Sequence, residues 1–406
     1  MSDPMVFVSA DVTQNDAEGA VEALLAQVIG AAPGFDVAFT FISSQFTQDI
    51  PLISERLSAS LKPGVLLGCT AEGVIGNEQE IEARPAISLV AARLPGVKIT
   101  PFALQRGSGD WHRILLDADK FCQAVEIPDD THLIVLLSDP FSTPIDDVLH
   151  SFNNCYPGIP IVGGMASGSL RPNGNALIVN NQIAQEGTVG VALSGAVSVE
   201  VIVSQGCRPI WRPFQVTAAH RNEIYSLEDR PPLAWIQDLI PTLPEEDRIL
   251  LQNGLFVGRA IKRGDEAAVT SPELLGRGDF LIRGLVGINQ ENGAIAISDS
   301  VLDGETIQFH LRDAFTAQED LEMMLIPQAF RQPASGGLLF ACNGRGTRLY
   351  DHPNGDISVI QQNIPNLNLA GFFCAGEIGP VGGKNFLHGH SISLALFRPL
   401  SKQNSL

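Results

Sequence analysis

An arginine stands inside a glycine-rich turn, CNGRG at residues 342–346, which follows the apolar run GLLFA. Asn343 and Gly344 favour a turn that needs a positive φ. An arginine held on a tight turn at a strand end suits bidentate recognition of a carboxylate or a phosphate. Arg345 is therefore a candidate anion-binding residue, and the alternative is a structural ion pair, for example with Glu377.

A second polar cluster lies in AGEIGPVGGKNFLHGHS, residues 375–391. Glu377, Asn385 and His388 stand there on a glycine-rich backbone between two apolar runs, which is typical of a site rim rather than a core. His388 and His390 would share one face of an extended chain and could bind a metal. No third ligand is adjacent in sequence, so we predict no dedicated metal site.

A third candidate is the turn after GVLLGCT, residues 64–70, which carries Cys69, Thr70 and Glu72. Such a turn predicts either an anion-binding nest or a nucleophilic cysteine beside an acid, and the alternative is small residues packing at a strand end. The chain lacks G-x-S-x-G, G-x-x-x-x-G-K-[ST], H-E-x-x-H and the Rossmann glycine pattern. We therefore predict no catalytic residue and favour a binding module over an enzyme.

The elements that must position these residues alternate between helical and strand periodicity. Helical spacing predicts helices at 15–31, 47–61, 144–153 and 314–331. Apolar or β-branched runs predict strands at 36–44, 64–70, 132–139, 160–167 and 391–397, and strands that enter turns within 337–346 and 369–380. Two further runs, 86–94 and 97–105, are separated by Pro95-Gly96 and predict a hairpin.

Three strand-end turns align with one another: GCTAEGVIG (68–76), GGMASGS (163–169) and GFFCAGEIGP (371–380). Each is an apolar strand that enters a small-residue turn and then returns, which indicates internal repetition. Helical crossovers and hairpins occur together, so the predicted class is α+β, or mixed α/β. We expect two packed domains with mixed sheets flanked by helices, built from repeated β-α-β-plus-hairpin units. A proline-rich acidic stretch at 225–245 places the boundary between residues 1–228 and 229–406.

The composition excludes several classes of protein. The 406 residues include 26 Lys or Arg and 45 Asp or Glu, a net charge of −19, and 45% are apolar. A chain this acidic is a poor partner for nucleic acid or an anionic membrane, and its apolar content supports a folded core. It shows neither a secretory signal nor an apolar run of 18 residues. Scattered cysteines predict reduced, mostly buried thiols in a cytoplasmic protein, at Cys69, Cys122, Cys155, Cys207, Cys342 and Cys374.

Four segments together resemble the FIST family. They are SQGCRPIWRPFQVT (204–217), FLIRGLVGINQENGAIAISDSVLDGETIQFHLRDA (280–314), CNGRG (342–346) and GFFCAGEIGPVGGKNFLHGHS (371–391). The resemblance covers nearly the whole chain and implies a FIST N-like part in 1–228 and a FIST C-like part in 229–406. It also implies an intracellular sensory protein that binds a small metabolite, such as an amino acid or a carboxylate, and signals through a separate protein.

Three functional hypotheses follow. In the first, an amino-acid-like ligand meets an anion clamp, Arg345, and an ammonium acceptor, Glu377. The predicted ligand-binding residues are Cys69, Thr70, Glu72, Asn343, Arg345, Glu377, Asn385 and His388. In the second, the resemblance to bacterial FIST proteins that sense nitric oxide implies haem, with His388 or another histidine as a candidate axial ligand. In the third, Cys69 or Cys342 acts with His388 in an amide hydrolase or acyltransferase.

Overall fold

The computed structural model describes residues 4–105, 114–115, 117–261, 275–276 and 278–400. The chain folds as two compact units. The first contains the chain up to Val203, Leu321–Leu387 and the residues from Ser391 onward, and the second contains Ser204–Asp320 with His388–His390. Within the described residues, no helix is both long and apolar enough to cross a membrane.

Three six-stranded mixed sheets, here given in spatial order, belong to the first unit, apart from the strand-end residues Ser204, Gln205 and His388, which are grouped with the second unit. Sheet 1 consists of β1 (Val6–Thr13), β6 (Ala86–Arg93), β2 (Val37–Ser43), β3 (Val65–Ala71), β10 (Leu177–Val179) and β11 (Gln182–Ala184). Sheet 2 consists of β7 (Val97–Leu104), β12 (Thr188–Gly195), β8 (Thr131–Ser138), β9 (Ile161–Met165), β22 (Glu377–Val381) and β23 (Lys384–His388). Sheet 3 consists of β13 (Val197–Gln205), β24 (Ser391–Pro399), β20 (Gly336–Cys342), β21 (Leu369–Cys374), β4 (Gly73–Ile75) and β5 (Glu80–Glu82).

These sheets are three copies of one arrangement, which confirms the predicted internal repetition. Each has a parallel pair at its centre (β2–β3, β8–β9 or β20–β21) beside an antiparallel strand (β6, β12 or β24). The copies exchange strands, because the hairpin that follows β3 joins sheet 3, the one after β9 joins sheet 1 and the one after β21 joins sheet 2. The repeats are therefore interlocked rather than merely stacked.

Helices cover the outer face of each sheet. They are α1 (Ala17–Val28), α2 (Ile50–Leu61), α3 (Ala118–Val125), α4 (Ile145–Cys155), α7 (Ala314–Leu325) and α8 (Gly355–Asn363), whereas α5 (Pro232–Leu239) and α6 (Glu245–Leu251) belong to the second unit. The pairs α1–α2 and α3–α4 pack on sheets 1 and 2, and α7 and α8 contribute to the core against sheet 3. The inner faces of all three sheets share one central core. The predicted α+β class with mixed sheets and flanking helices is confirmed.

The central strands are apolar on both faces, and β2 shows why the sequence folds this way. Phe39 and Phe41 point into the central core, whereas Ala38 and Ile42 point to the helices. Successive side chains of a strand alternate between faces, so a strand buried on both sides is mostly apolar along its whole length. Phe41 stacks on Phe372 of sheet 3 at 4.9 Å between ring centroids.

One glycine recurs at the same place in each repeat, inside the three turns that the sequence aligns. Gly68, Gly163 and Gly371 each pair with an isoleucine of the exchanged hairpin, respectively Ile178, Ile378 and Ile75. A Cβ at any of the three glycines would lie 2.4 Å or less from a carbonyl oxygen of the neighbouring parallel strand. Glycine is required there because the two backbones approach too closely for a side chain.

Two sequence predictions are wrong. The segments around Pro95-Gly96 do not form a hairpin, because β6 belongs to sheet 1 and β7 pairs with β12 in sheet 2. A proline–glycine turn reverses the chain, but it does not decide which sheet receives the second strand. The cysteines are also not all reduced, since Cys122 on α3 and Cys155 on α4 form a disulfide. The other four are buried thiols.

The second unit is a closed six-stranded barrel. Its strands, in spatial order, are β14 (Cys207–His220), β15 (Glu223–Leu227), β18 (Ile295–Ile297), β17 (Phe280–Ile288), β16 (Phe256–Ala260) and β19 (Thr306–Arg312). Its core includes Phe214, Phe309 and residues of α5. The compact units divide the chain at residues other than 228/229. The sequence-based domain boundary remains a prediction.

Candidate functional site

The strand-end site consists of Glu72, Asn343 and Arg348. Glu72 follows β3, Asn343 follows β20, and Arg348 ends a short 3₁₀ helix, Gly346–Arg348. The Arg348 guanidinium donates from Nη1 to Glu72 Oε2 at 3.1 Å and to the Asn343 carbonyl at 2.7 Å, and Nη2 contacts Glu72 Oε1. Asn343 Nδ2 also donates to Glu72 Oε2 at 3.4 Å. An acid, an amide and an arginine from two repeats thus meet in one place.

The ion pair of this site is open to water. The side chains of Arg348 and Glu72 are 53% and 40% exposed, respectively. Hydrogen bonding to Glu72 raises the pKa of Arg348 above its ordinary value. An exposed pair of this kind contributes at most about 1 kcal/mol to stability, so a ligand that offers both charges can replace it at little cost.

The backbone around the site is well anchored. The Glu72 N–H donates to Ser167 Oγ at 2.8 Å, and Asn343 N–H donates to the Cys374 carbonyl at 2.8 Å. Gly346 has φ +58°, and a Cβ there would lie 2.6 Å from the Glu82 carboxylate. The turn that carries Arg348 thus has one residue in the left-handed conformation, which glycine adopts without strain, and this residue packs against Glu82.

Arg345, the predicted anion clamp, is buried and takes the structural alternative. Its Nε donates to Asp356 Oδ2 at 2.7 Å, and its Nη2 donates to Asp356 Oδ1 at 2.5 Å and to the Tyr350 hydroxyl at 2.9 Å. Burial alone would lower the pKa of this guanidinium, but Asp356, Tyr350 and Cys342 together outweigh burial, and the pKa lies well above its ordinary value. Arg345 thus stabilises the turn through a buried ion pair with Asp356.

Glu80 extends this buried network. Its Oε1 accepts the N–H groups of Asp356 and Ile357, each at 2.9 Å, at the start of α8. Burial, and next the nearby Asp356 carboxylate, raise the pKa of Glu80 to about 8. Arg345 and Asp356 neutralise each other, so a protonated Glu80 beside them avoids an uncompensated buried charge. Sequence reasoning missed this network because Glu80 lies 276 residues from Asp356 in the chain.

Glu377, the predicted ammonium acceptor, is fully buried at the start of β22. Its Oε1 accepts the Ser391 N–H at 2.7 Å and the Ser391 hydroxyl at 2.6 Å. Its Oε2 has no hydrogen-bond partner among the described residues. Burial raises the pKa of Glu377 to about 7, although Ser391 acts in the opposite direction. The group is therefore a buried carboxyl that carries a proton in mildly acidic solution.

The remaining predicted residues lie in structural surroundings. Cys69 is fully buried in the central core, where burial raises the pKa of its thiol. Thr70 Oγ1 accepts the Ala176 N–H at 2.9 Å. Asn385 uses its amide on the backbone, with Oδ1 accepting from Ile161 N–H at 2.7 Å and Nδ2 donating to the Ile159 carbonyl at 2.9 Å.

His388 is buried and belongs to the second unit. Of the predicted residues, the structure joins Glu72 with Asn343 directly. Sequence reasoning missed Arg348, although its position three residues after Arg345 in a glycine turn was a usable signal.

A groove of about 660 Å³ lies on the first unit between α2 and the β10–β11 hairpin. Its polar lining includes Ser54, Ser58, Asn180 and Asn181, and none of the predicted site residues. No group of three or more His, Cys, Asp or Glu side chains within the described ranges is arranged to hold a metal ion. His388 lines neither this groove nor the one beside β17 and β18. Haem binding stays a prediction from the sequence.

Comparisons with known proteins agree with the sequence motifs. The uncharacterized protein Rv0628c of Mycobacterium tuberculosis is 38% identical over 395 residues, which cover 97% of this chain and 98% of that protein. The uncharacterized protein Mb0898c of Mycobacterium bovis is 38% identical over 352 residues, 85% of this chain and 86% of that protein. A solved "cyanuic acid hydrolase from A. caulinodans" aligns over 98% of this chain and 100% of its own, with a low TM-score of 0.34 and 6% identity.

The family matches cover both parts of the sequence. Residues 36–230 match the FIST N domain, and residues 232–380 match the FIST C domain. FIST domains are sensory domains of signal transduction proteins. Because the two matches follow each other and span most of the described elements, this chain belongs to the FIST family.

Proposed function

We propose that this chain is a sensor for a small zwitterionic metabolite of the amino-acid class, bound at the strand-end site. The observation that carries the proposal is the exposed Glu72–Arg348 ion pair, with the Asn343 amide beside it. In this proposal the ligand carboxylate takes the Arg348 guanidinium fork, and the ligand ammonium takes the Glu72 carboxylate. The existing ion pair is replaced by two ion pairs to one ligand.

The electrostatics of the chain support a site of this kind. A net charge of −19 disfavours large anions at a distance, but a zwitterion carries no net charge. Planar guanidinium recognises a carboxylate through two parallel hydrogen bonds. Arg348 keeps its orientation during the exchange, because its Nη1 also donates to the Asn343 carbonyl.

The other predicted residues have supporting roles in this proposal. Arg345 holds the turn through Asp356, and Thr70 ties the end of β3 to Ala176. Cys69, Glu377, Asn385 and His388 are buried, and in this proposal they support the fold. The separate signalling partner and the cytoplasmic location remain predictions from the sequence.

A thermal-shift series tests the proposed site. We expect L-amino acids to raise the melting temperature, and analogues that lack either the amine or the carboxylate to raise it much less. A ligand present at 100 times its Kd stabilises the folded state by about 2.7 kcal/mol, which is readily seen as a shift. Arg348→Ala and Glu72→Gln should each abolish the shift, because each removes one of the two charges.

Arg56→Ala is the matched control, since it removes another exposed arginine from a surface ion pair, with Glu22, outside the site. This variant should keep the full ligand-induced shift. The proposal fails if Arg348→Ala responds to amino acids as the parent protein does, or if the single-charge analogues are as effective as the zwitterions.

A further inference from the structure

Two thiols lie side by side at the end of the parallel pair in sheet 3. Cys342 is the last residue of β20 and Cys374 is the last residue of β21, and the two are directly in register. Neighbouring strands are about 4.8 Å apart, which lies within the Cα separation of about 4.4–6.8 Å that a disulfide spans. In-register residues of parallel strands point to the same face, so both thiols extend toward one side of the sheet.

Packing does not require sulfur at these positions. The in-register residues of sheet 1 that correspond to the pair are Ser43 and Ala71. In sheet 2, Asp139 and Ala166 directly follow the last paired residues of β8 and β9 and take the same places. The fold thus accepts a hydroxyl, a carboxylate or a methyl group where sheet 3 has its two thiols.

Two guanidinium groups and a backbone N–H lie near Cys342. Its Sγ accepts the Gly344 N–H at 3.4 Å. The guanidinium groups of Arg345 and Arg348 both interact electrostatically with it. Positive charge and backbone N–H groups near a cysteine stabilise the anion that attacks electrophiles. Cys342 is 6% exposed and directly precedes Asn343 of the open strand-end site.

Cys374 differs from its neighbour. It is fully buried, and burial and then Glu377 raise the pKa of its thiol well above the ordinary value. A thiol in this position meets no oxidant from solvent but can still react with an oxidised neighbour. Because Cys342 is 6% exposed and Cys374 is not exposed, a small oxidant meets Cys342 first, and Cys374 is the cysteine placed to resolve the product.

We propose that Cys342 and Cys374 are a modification site at which a peroxide converts the pair into a disulfide. The Cys342 thiolate attacks one peroxide oxygen, an S–O bond forms, the O–O bond breaks, and the leaving hydroxide takes a proton to become water. The Cys374 sulfur then attacks Cys342 Sγ, an S–S bond forms, the S–O bond breaks, and a second water leaves with the Cys374 proton. This chemistry goes beyond the proposed ligand sensing and does not depend on it.

Peptide mapping of the intact protein tests the proposal. The protein is exposed to dilute hydrogen peroxide, alkylated and digested without reductant. We expect a peptide pair linked through Cys342 and Cys374 with the loss of two hydrogen atoms, in addition to the Cys122–Cys155 link, and its disappearance after dithiothreitol. The proposal is overturned if Cys342 stays fully alkylatable after this treatment, or if Cys374 is linked to Cys69 instead.

Variants separate the two roles. In Cys374→Ala, oxidation should stop at a Cys342 sulfenic acid that dimedone traps. In Cys342→Ala, dimedone should label nothing at Cys374, and Cys69→Ala should form the Cys342–Cys374 link as the parent does. Dimedone labelling of Cys374 in Cys342→Ala would contradict the assigned roles. The mapping of the parent protein decides the main question even if a variant fails to fold.

Discussion

At the scale of single residues, the feature that stands out is a carboxyl group kept from water. Glu377 is fully buried, and the energetic cost of an unsolvated carboxylate raises its pKa to about 7. One of its oxygens is satisfied by Ser391, and the other lacks a partner among the described residues. The group is therefore most compatible with the fold when it is protonated.

This carboxyl makes stability depend on pH. Because the folded pKa, about 7, lies above the ordinary value of 4.5, the folded state keeps a proton that the unfolded chain loses between these values. The contribution of the protonated Glu377 carboxyl to the free energy of unfolding is fully present below pH 4.5 and is lost as the pH rises through 7. Glu377→Gln mimics the protonated form. It should match the parent near pH 4.5 and exceed its free energy of unfolding by about 3 kcal/mol at pH 8.

Urea unfolding at several pH values measures this difference. Glu291→Gln removes an exposed carboxylate from the second unit and controls for the change in net charge. A Glu377→Gln variant that is less stable than the parent at pH 8 would show that the buried group is ionised there and stabilising.

At the scale of elements, the three equivalent glycines set how closely the parallel strands approach. Gly163 is constrained in two ways. Its φ is +139°, and an ideal Cβ would lie only 1.9 Å from the Leu136 carbonyl oxygen. A side chain there must strain the backbone and also separate β8 from β9. The same close contact recurs in the other two sheets at Gly68 and Gly371.

Replacing this glycine should be costly. Gly163→Ala is expected to lower the free energy of unfolding by about 3 kcal/mol or more, from the clash and the strained φ together. Gly158→Ala is the matched control, because Gly158 also has a positive φ, +81°, but open space around its Cβ position. It should cost only about 1 kcal/mol. Equal losses in chemical denaturation would argue against the close approach as the cause.

At the scale of the whole molecule, one covalent link limits the freedom of the unfolded chain. The Cys122–Cys155 disulfide joins α3 to α4 across a separation of 33 residues. Cross-linking two points of a chain lowers the entropy of the unfolded ensemble, and a loop of this length is worth about 2–4 kcal/mol. The disulfide therefore changes the free energy of unfolding of the first unit as a whole.

Removing this link has a defined consequence. The double variant Cys122→Ser/Cys155→Ser should lose about 2–4 kcal/mol of unfolding free energy in denaturant titrations. A reductant should destabilise the parent by a similar amount and leave the double variant unchanged. If the reductant alters both proteins equally, the stabilisation comes from another source.

Local sequence determined much of the fold. Periodicity of 3.6 placed α1, α2, α4 and α7, and apolar runs placed β2, β3, β8, β9 and β24, since helix and strand patterns are written in neighbouring residues. The aligned turns at 68–76, 163–169 and 371–380 predicted the repetition, because the same close backbone approach demands the same glycine each time. The family motifs were equally visible, and both family matches agree with them.

Tertiary structure alone decided which elements and side chains became partners. The hairpin expected at Pro95-Gly96 sends its strands into different sheets, since a turn does not encode the edge that a strand will find. Arg345 turned inward to Asp356, and Arg348 reached Glu72 from another repeat. Pairing energies of charges and thiols depend on distance and burial, and both arise only when residues far apart in the chain are packed together.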